Sequence, residues 1–513
     1  MNATAVLSFE EFSRCARRGN MVPVSLTMLA DTFTPVSAFL RLNQQQQQVF
    51  LLESIAGGEK IARYSFLGFA PACVVRYHRQ AAEKPRLQIE PAADNRFDLL
   101  PGEAQKDIFS YLQAMSKKFQ PVMVSGLPRF TGGFVGYFGY DTVRDLENIR
   151  SSRSLHAAEK NEAAFPDAEF GFYDTILAFD HVRQEMLLIT HVFLEQGELN
   201  LRRRYEEALE RLESIRQQLV APLAPPEVAP TARPRFPEPA SNFLQKDFLA
   251  AVSAAKEHIA AGDIFQAVLS QRFSCALTVS PIQIYRALRQ INPSPYLFFL
   301  RNGENTLIGS SPEALLRVED RVAEMRPIAG TRRRGHDEKE DQQLEAELRA
   351  DAKECAEHLM LVDLSRNDLG RVCEYASVHV NELMAVEHYS HVMHLVSNVR
   401  GKLRSECDAI DALRACFPAG TVSGAPKIRA MEIIDELEPA PRGPYAGAVG
   451  YLDLYGNLDT CITIRTIWTR NGQAFFQAGA GIVADSDPGR EYQETIEKAR
   501  AVWNAIDLAE RGL

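Results

Sequence analysis

The chain has 513 residues, 46% of them hydrophobic and 24% charged, the composition of an ordinary globular protein long enough for two or three domains. A formal net charge of −10 leaves no basic footprint and argues against nucleic acid as the main partner. No run of about 20 apolar residues could span a membrane. The mixed-charge start, Met1 to Asn20, lacks a secretory apolar core, so a cytoplasmic protein is expected.

In chain order, apolar and alternating segments at Gln48–Ser54, Cys73–Tyr77 and Thr175–Phe179 predict strands, and the glutamine tract at Gln44–Gln48 reads as a loop. The charged run Leu201–Leu219 predicts a helix. Ala221–Ser241 then carries Pro222, Pro225, Pro226, Pro230, Pro234, Pro237 and Pro239, too many for a helix or a central strand. An extended linker over 221–241 is expected there, dividing an N-terminal domain, 1–220, from a domain over 242–513.

Beyond it, Lys246–Ala261 predicts an amphipathic helix stopped by Gly262. Ala267–Phe273, Tyr296–Arg301 and Thr306–Ile308 predict strands, and His336–Asp363 one long helix. Ala446–Asp453, Asp459–Thr469 and Ala474–Val483 predict further strands, with a last helix over about Gly489–Leu508. Strands that cluster and follow one another through short turns favour an antiparallel-rich α+β fold over a doubly wound sheet.

The eight cysteines are scattered with no C-x-x-C pair, which reads as reduced thiols rather than a disulfide frame or zinc site. Glu354 with Glu357, and Glu491 with Glu494, are i,i+3 pairs that each share a helix face. Two such faces suit a hard divalent cation, although spacing alone favours solvated acids. Glu313 follows a strand and a turn, a place that suits a catalytic acid or equally a helix first-turn acid. His388, His391 and His394 are spaced by three, but the segment running to Gly401 reads as a strand, which turns His391 away and disfavours zinc. Gly330-Thr331 and Gly479-Ala480-Gly481 lack the spacing of nucleotide loops; they suit close backbone approach to an anion, or a plain turn. The Arg332–Arg334 run reads as a solvated turn, and Pro426 as the start of a helix.

Three fragments carry a more specific signal: Pro327-Ile328-Ala329-Gly330-Thr331, then Phe417-Pro418-Ala419-Gly420-Thr421-Val422-Ser423-Gly424-Ala425-Pro426-Lys427, then Gln477-Ala478-Gly479-Ala480-Gly481-Ile482-Val483-Ala484-Asp485-Ser486. In that order, over about residues 245–505, they resemble the chorismate-utilising enzymes. The resemblance implies two large, mainly antiparallel sheets packed together with helices outside. It implies catalytic roles for Glu313, as the acid that protonates the departing 4-hydroxyl, for His394 beside the substrate ring, and for Thr421. Substrate contacts are implied for Gly330, Thr331, Tyr445, Arg465, Gly479, Ala480 and Gly481, and magnesium (Mg2+) ligation for Glu357 and Glu494. The planar fork of Arg465 suits a bidentate carboxylate contact. Leu51–Ser54 and Asn292–Tyr296 resemble tryptophan-binding elements, which implies an inhibitor site of Ser54, Pro295, Tyr296 and Leu297; Leu297 stands where a methionine is often found.

Two positions sort this family by reaction. Ala329 stands where relatives that make aminodeoxychorismate carry an attacking lysine, and Gln266 where isochorismate and salicylate synthases carry a water-activating lysine. With neither present, the implied nucleophile is ammonia, adding at C2 of chorismate as the 4-hydroxyl leaves. Loss of pyruvate from 2-amino-2-deoxyisochorismate then gives anthranilate. The resemblance therefore points to the anthranilate synthase component I branch, lyases of tryptophan biosynthesis under tryptophan feedback. None of the cysteines sits in a Gly-x-Cys-x-Gly elbow, so a separate glutamine amidotransferase subunit (component II), in a heterotetramer, is implied as the ammonia source. An aminodeoxychorismate synthase component I, a 2-amino-2-deoxyisochorismate synthase and a non-catalytic tryptophan sensor stay open.

Overall fold

The computed structural model describes residues 4–5, 7–43, 47–54, 63–79, 86–92, 106–149, 165–195, 197–222, 236–389 and 392–512. Gln44–Gln46, most of the proline-rich linker and His391 therefore lie outside the described residues.

Two large antiparallel sheets form the body, one of 13 strands and one of 11 among the described residues. Both draw strands from either side of residues 221–241. In the larger sheet the seam is Gln48–Glu53 against Tyr296–Asn302, with Phe299 opposite Leu51. In the smaller it is Gly133–Phe138 against Ala448–Asp453, with Gly136 opposite Gly450. Both glycines face backbone so closely that a Cβ would collide with the neighbouring carbonyl, which is why this seam accepts no side chain there.

The facing surfaces of the sheets form a single apolar core that includes Phe50, Phe66, Phe298 and Trp468 from one sheet and Phe134, Phe172, Tyr173 and Tyr451 from the other. Aromatic edges interlock across it, with ring centroids 4.6 Å apart for Phe50 and Tyr173, a spacing that favours edge-to-face contact. The outer face of the larger sheet is covered by helices such as Pro281–Ile291 and Pro488–Arg511, through Tyr285, Leu288, Val502 and Trp503. Among the described residues no helix is long and apolar enough to cross a membrane, and all eight cysteines are free thiols.

The expected elements recur with two corrections that matter for function. His336–Asp363 is not one helix: Glu338–Ala350 ends at Asp351, and a second helix, Ala352–Gly370, begins there. Asp351 adopts an extended ψ of 104° and its carboxylate accepts from the Lys353 and Glu354 amides, an N-cap that an acid supplies and a helix interior does not. Asp459–Thr469 is likewise two strands, Leu458–Ile462 in the smaller sheet and Thr466–Arg470 in the larger. The chain changes sheet between them, and Arg465 takes a left-handed φ of 49° at that corner.

Candidate active site

Glu313 lies at a second corner of the same kind. Asn305–Ser311 belongs to the larger sheet and Ala314–Glu319 to the smaller, so the chain crosses between sheets at Pro312-Glu313. A strand follows Glu313, which removes the helix first-turn explanation of this acid. The two crossings run side by side: the Ile462 amide donates to the Glu313 carbonyl at 3.0 Å, and the Ser310 amide to the Arg465 carbonyl at 3.2 Å. Each crossing thus fixes the other, and each carries one charged side chain expected to meet the substrate.

Thr421 sits in the one-turn helix Gly420–Val422 and donates its hydroxyl to Glu313 Oε1 at 3.0 Å. A cavity of 30 Å³ beside this pair, lined also by Ser365 and Asp368, has room for a water or two. Burial pushes the Glu313 pKa up to about 7, against the opposing pull of the Thr421 hydroxyl and the Lys498 charge. A carboxyl tuned in this way keeps a proton near neutral pH, as a general acid must.

His394 lies on strand Val392–Lys402, near enough to Arg465 to feel its charge. The neighbouring strand Ile328–Arg333 bulges at Gly330, which takes a φ of 72°, so that Thr331 pairs with His394. Glycine takes this conformation without the steric penalty of a Cβ. His394 Nδ1 lies 3.2 Å from the Gly330 carbonyl and 3.0 Å from Thr331 Oγ1. A carbonyl only accepts, so this network places the proton on Nδ1 and leaves Nε2 with its lone pair. Burial, and then the positive charge of Arg465, lower the His394 pKa and keep the ring neutral.

Arg465 has no carboxylate partner among the described residues; its Nη1 reaches only the Asn292 side chain, at 3.4 Å. Desolvation lowers its pKa. A guanidinium so placed is a ready receptor for an anion. Opposite, the Gly479–Gly481 segment of strand Gln473–Ile482 is bare because space is short: a Cβ on Gly479 would meet the Tyr445 hydroxyl at 2.8 Å, and one on Gly481 the Gln266 amide at 2.7 Å. Ala480 is buried between them.

The acidic pairs converge from their two helices. Glu357 is half-buried, and burial, then the charge of Glu354, raise its pKa, with Glu494 adding to the rise. Glu491 is raised by burial and by Glu494 in the same way. Carboxylates that repel one another across a gap suit a cation between them, and Gln266 offers Glu357 just one long hydrogen bond of 3.4 Å. Among the described residues no three His, Cys, Asp or Glu side chains close into a metal site of their own. His388 pairs instead with Glu345 at 3.4 Å.

One charged side chain beside these groups escaped the sequence reading. Lys498 binds Glu494 at 2.7 Å and donates to the Gly479 carbonyl at 3.0 Å, tying the acidic pair to the glycine strand. Its Glu494-x-x-x-Lys498 spacing reads as an ordinary helix-surface pair. The Arg332–Arg334 run is structural: Arg332 holds Asp351 at 2.7 Å and Glu354 at 3.1 Å, while Arg333 and Arg334 hold Glu340 and Asp341.

Ser54, Pro295, Tyr296 and Leu297 are not part of this constellation. They line a cavity of 760 Å³ between the sheets, with Tyr64, Phe66 and Tyr451, whose wall runs on to Pro312 and Ala314, on either side of Glu313, and to Tyr389. There the Ser54 hydroxyl is buried without a partner among the described residues, and Tyr296 donates to Asp459 at 3.0 Å.

The sequence matches the chorismate binding enzyme family over residues 47–504. The chain belongs to that family. Among the family's curated members, anthranilate synthase component 1 of Pseudomonas aeruginosa is 46% identical, with 98% of this chain and 99% of that protein covered. The same component of Acetivibrio thermocellus is 44% identical, covering 98% of each chain. Among solved structures, anthranilate synthase component I from Streptococcus pneumoniae superposes with a TM-score of 0.71 at 37% identity, over 93% of this chain and 98% of that one. The menaquinone-specific isochorismate synthase of Escherichia coli shares the fold, with a TM-score of 0.67 at 20% identity, over 96% and 98% of the chains.

Proposed function

We propose that this chain is the synthase half of an anthranilate synthase: it aminates chorismate with ammonia from a separate glutamine amidotransferase and then expels pyruvate. The observation that carries this reading is the absence of an amine at the two deciding positions. Gln266 is buried with its amide turned toward Glu357, and Ala329 is a methyl group beside the bulge at Gly330. Neither can attack the ring or activate water, so the nucleophile comes from outside.

In this reading Arg465 receives a carboxylate of the dianionic substrate, and the Gly479–Gly481 backbone, Thr331 and Tyr445 close around the ring. The site residues fit magnesium, with Glu357 and Glu494 as its holders; when bound, the ion neutralises the ring carboxylate and those acids. Glu313, held by Thr421, gives its proton to the 4-hydroxyl, which leaves as water while the C2–N bond forms. The proton shed by the new ammonium group restores the acid. In the second step the C2 proton and the C3–O bond are lost together, the ring becomes aromatic and the enolpyruvyl group departs as pyruvate. His394, neutral and edge-on to Tyr389 with centroids 5.6 Å apart, orients the substrate ring.

The cavity at Ser54 and Tyr296 supports a regulatory site for tryptophan, since its wall is aromatic and holds a hydroxyl with no partner among the described residues. The decisive assay gives the purified chain chorismate, magnesium and excess ammonium salt at alkaline pH, and identifies the product. Anthranilate is expected, lost on chelation of magnesium and reduced by tryptophan. A para-aminated product, or accumulation of 2-amino-2-deoxyisochorismate, would replace this reading with one of its relatives. Tryptophan binding with no consumption of chorismate would leave a sensor.

A further inference from the structure

Arg442 and Glu438 form an ion pair with both side chains just 2% exposed, an unusual burial for two charges. Arg442 Nε and Nη2 donate to Glu438 Oε2 and Oε1 at 3.0 and 2.6 Å. The remaining hydrogen bonds of the pair reach two other chain segments, the turn at Val422 and the strand Gln266–Ala276. Arg442 Nη1 donates to the Val422 carbonyl, next to Thr421, at 2.7 Å, and Nη2 to the Val268 carbonyl, also at 2.7 Å. Glu438 Oε1 accepts from the Ser270 amide at 2.9 Å and the Ser270 hydroxyl at 2.7 Å. Val268 and Ser270 are the strand partners of Gly481 and Gly479. The guanidinium also lies 4.6 Å from the Tyr140 ring centroid and 5.6 Å from that of Tyr445.

Burying two charges costs several kcal/mol per ion before their attraction and hydrogen bonds repay it, so stability is a poor reason for such a pair. Geometry is a better one. We propose that Arg442 and Glu438 are positioning residues for amination, a rigid clamp that sets the distance between the Thr421 turn, the Gly479–Gly481 backbone and Tyr445. The inference rests on the reading of those three segments as the chorismate site. Neither residue touches the substrate. The clamp acts by holding Thr421 in reach of Glu313 and by fixing the strand opposite the bare glycines.

The test replaces the pair by apolar side chains of similar size, Arg442→Met with Glu438→Leu, in the full chain, and follows ammonia-dependent anthranilate formation alongside thermal unfolding. Such replacements are commonly neutral or stabilising, whereas a displacement of about 1 Å in a reacting geometry costs roughly 100-fold in rate. Here the Val422 and Val268 carbonyls and the Ser270 amide lose their partners, so the expected result is a folded protein of lower Tm whose kcat/KM stays lower by about 100-fold even when assayed well below that Tm. Arg442→Lys is the second variant: it keeps the charge but not the fork, so one backbone carbonyl loses its donor. It should fold, with activity between the two, and it decides the matter if the double variant does not fold. A folded variant with wild-type kcat and KM would overturn the clamp. So would activity lost in step with Tm and recovered by assaying at lower temperature. Failure of the wild-type chain to make anthranilate would instead strike the functional reading itself, and that control is run beside the variants.

Discussion

The two sheet crossings and the cavity between the sheets lie in the same fold but are built in opposite ways. At and around the crossings, groups are held by hydrogen bonds: the Glu313 carboxyl by Thr421, the His394 ring by Gly330 and Thr331, the Gly479 carbonyl by Lys498 and, more loosely, Arg465 by Asn292. The cavity at Ser54 is 760 Å³ with a hydroxyl in its wall that has no partner among the described residues, a volume in the range of pockets that take a small organic molecule. A region that carries out chemistry needs fixed distances, whereas one that senses a ligand needs space the ligand can fill. The difference teaches where to expect rate effects and where to expect regulatory ones.

The largest effect should come from Glu313→Gln, which keeps the shape and hydrogen-bonding reach but removes the proton. General acid catalysis is worth about 100- to 10,000-fold, so kcat should fall by that factor while chorismate still binds. Retention of most of kcat, measured by anthranilate fluorescence, would move the acid elsewhere. Next is Arg465→Gln. Losing a charge-assisted contact of about 1.5–3 kcal/mol should cost about 10- to 100-fold in kcat/KM, mostly through KM. Ser54→Phe should fill the cavity, abolishing tryptophan inhibition while sparing catalysis; unchanged inhibition in that variant would remove the site.

The smallest effect concerns stability. Burial raises the Glu313 pKa from 4.5 to about 7, so the folded state binds this proton more tightly than the unfolded chain. The stabilising contribution is whole below about pH 4.5 and is lost as pH rises through about 7. Above that, the ionised carboxyl costs at most about 3 kcal/mol. Glu313→Gln should therefore raise Tm at pH 8, by about 2–3 °C for a chain of this size, and less at pH 5. A lower Tm at pH 8 would show that the ionised carboxyl is stabilised in the fold.

Much of this was legible in the sequence, and the failures have physical causes. Gly262, with a φ of 81°, stops its helix as read. The strand at Thr175–Asp180 was visible as an apolar run, and all of its residues are buried, which removes the alternation that would tell an inner face from an outer one. Asp351 was invisible as a break because it sits in a continuous acidic helix-forming sequence and acts only through its cap. Arg465 was placed on a single strand, since nothing local signals that strands Leu458–Ile462 and Thr466–Arg470 belong to different sheets. Lys498 looked like a surface partner of Glu494. Arg442 and Glu438 flank Pro439-Ala440-Pro441, which reads as a loop, and their role emerges only when Val422, Val268 and Ser270 come together in the fold.

The claim that these are two separable regions, one for chemistry and one for regulation, has a direct test. Tryptophan binding and anthranilate formation are measured together in Glu313→Gln and Ser54→Phe, beside the unsubstituted chain. The account expects Glu313→Gln to bind tryptophan normally but make product at least about 100-fold more slowly, and Ser54→Phe to make product at any tryptophan concentration. Loss of tryptophan binding in the first variant, or persistent inhibition in the second, would contradict it.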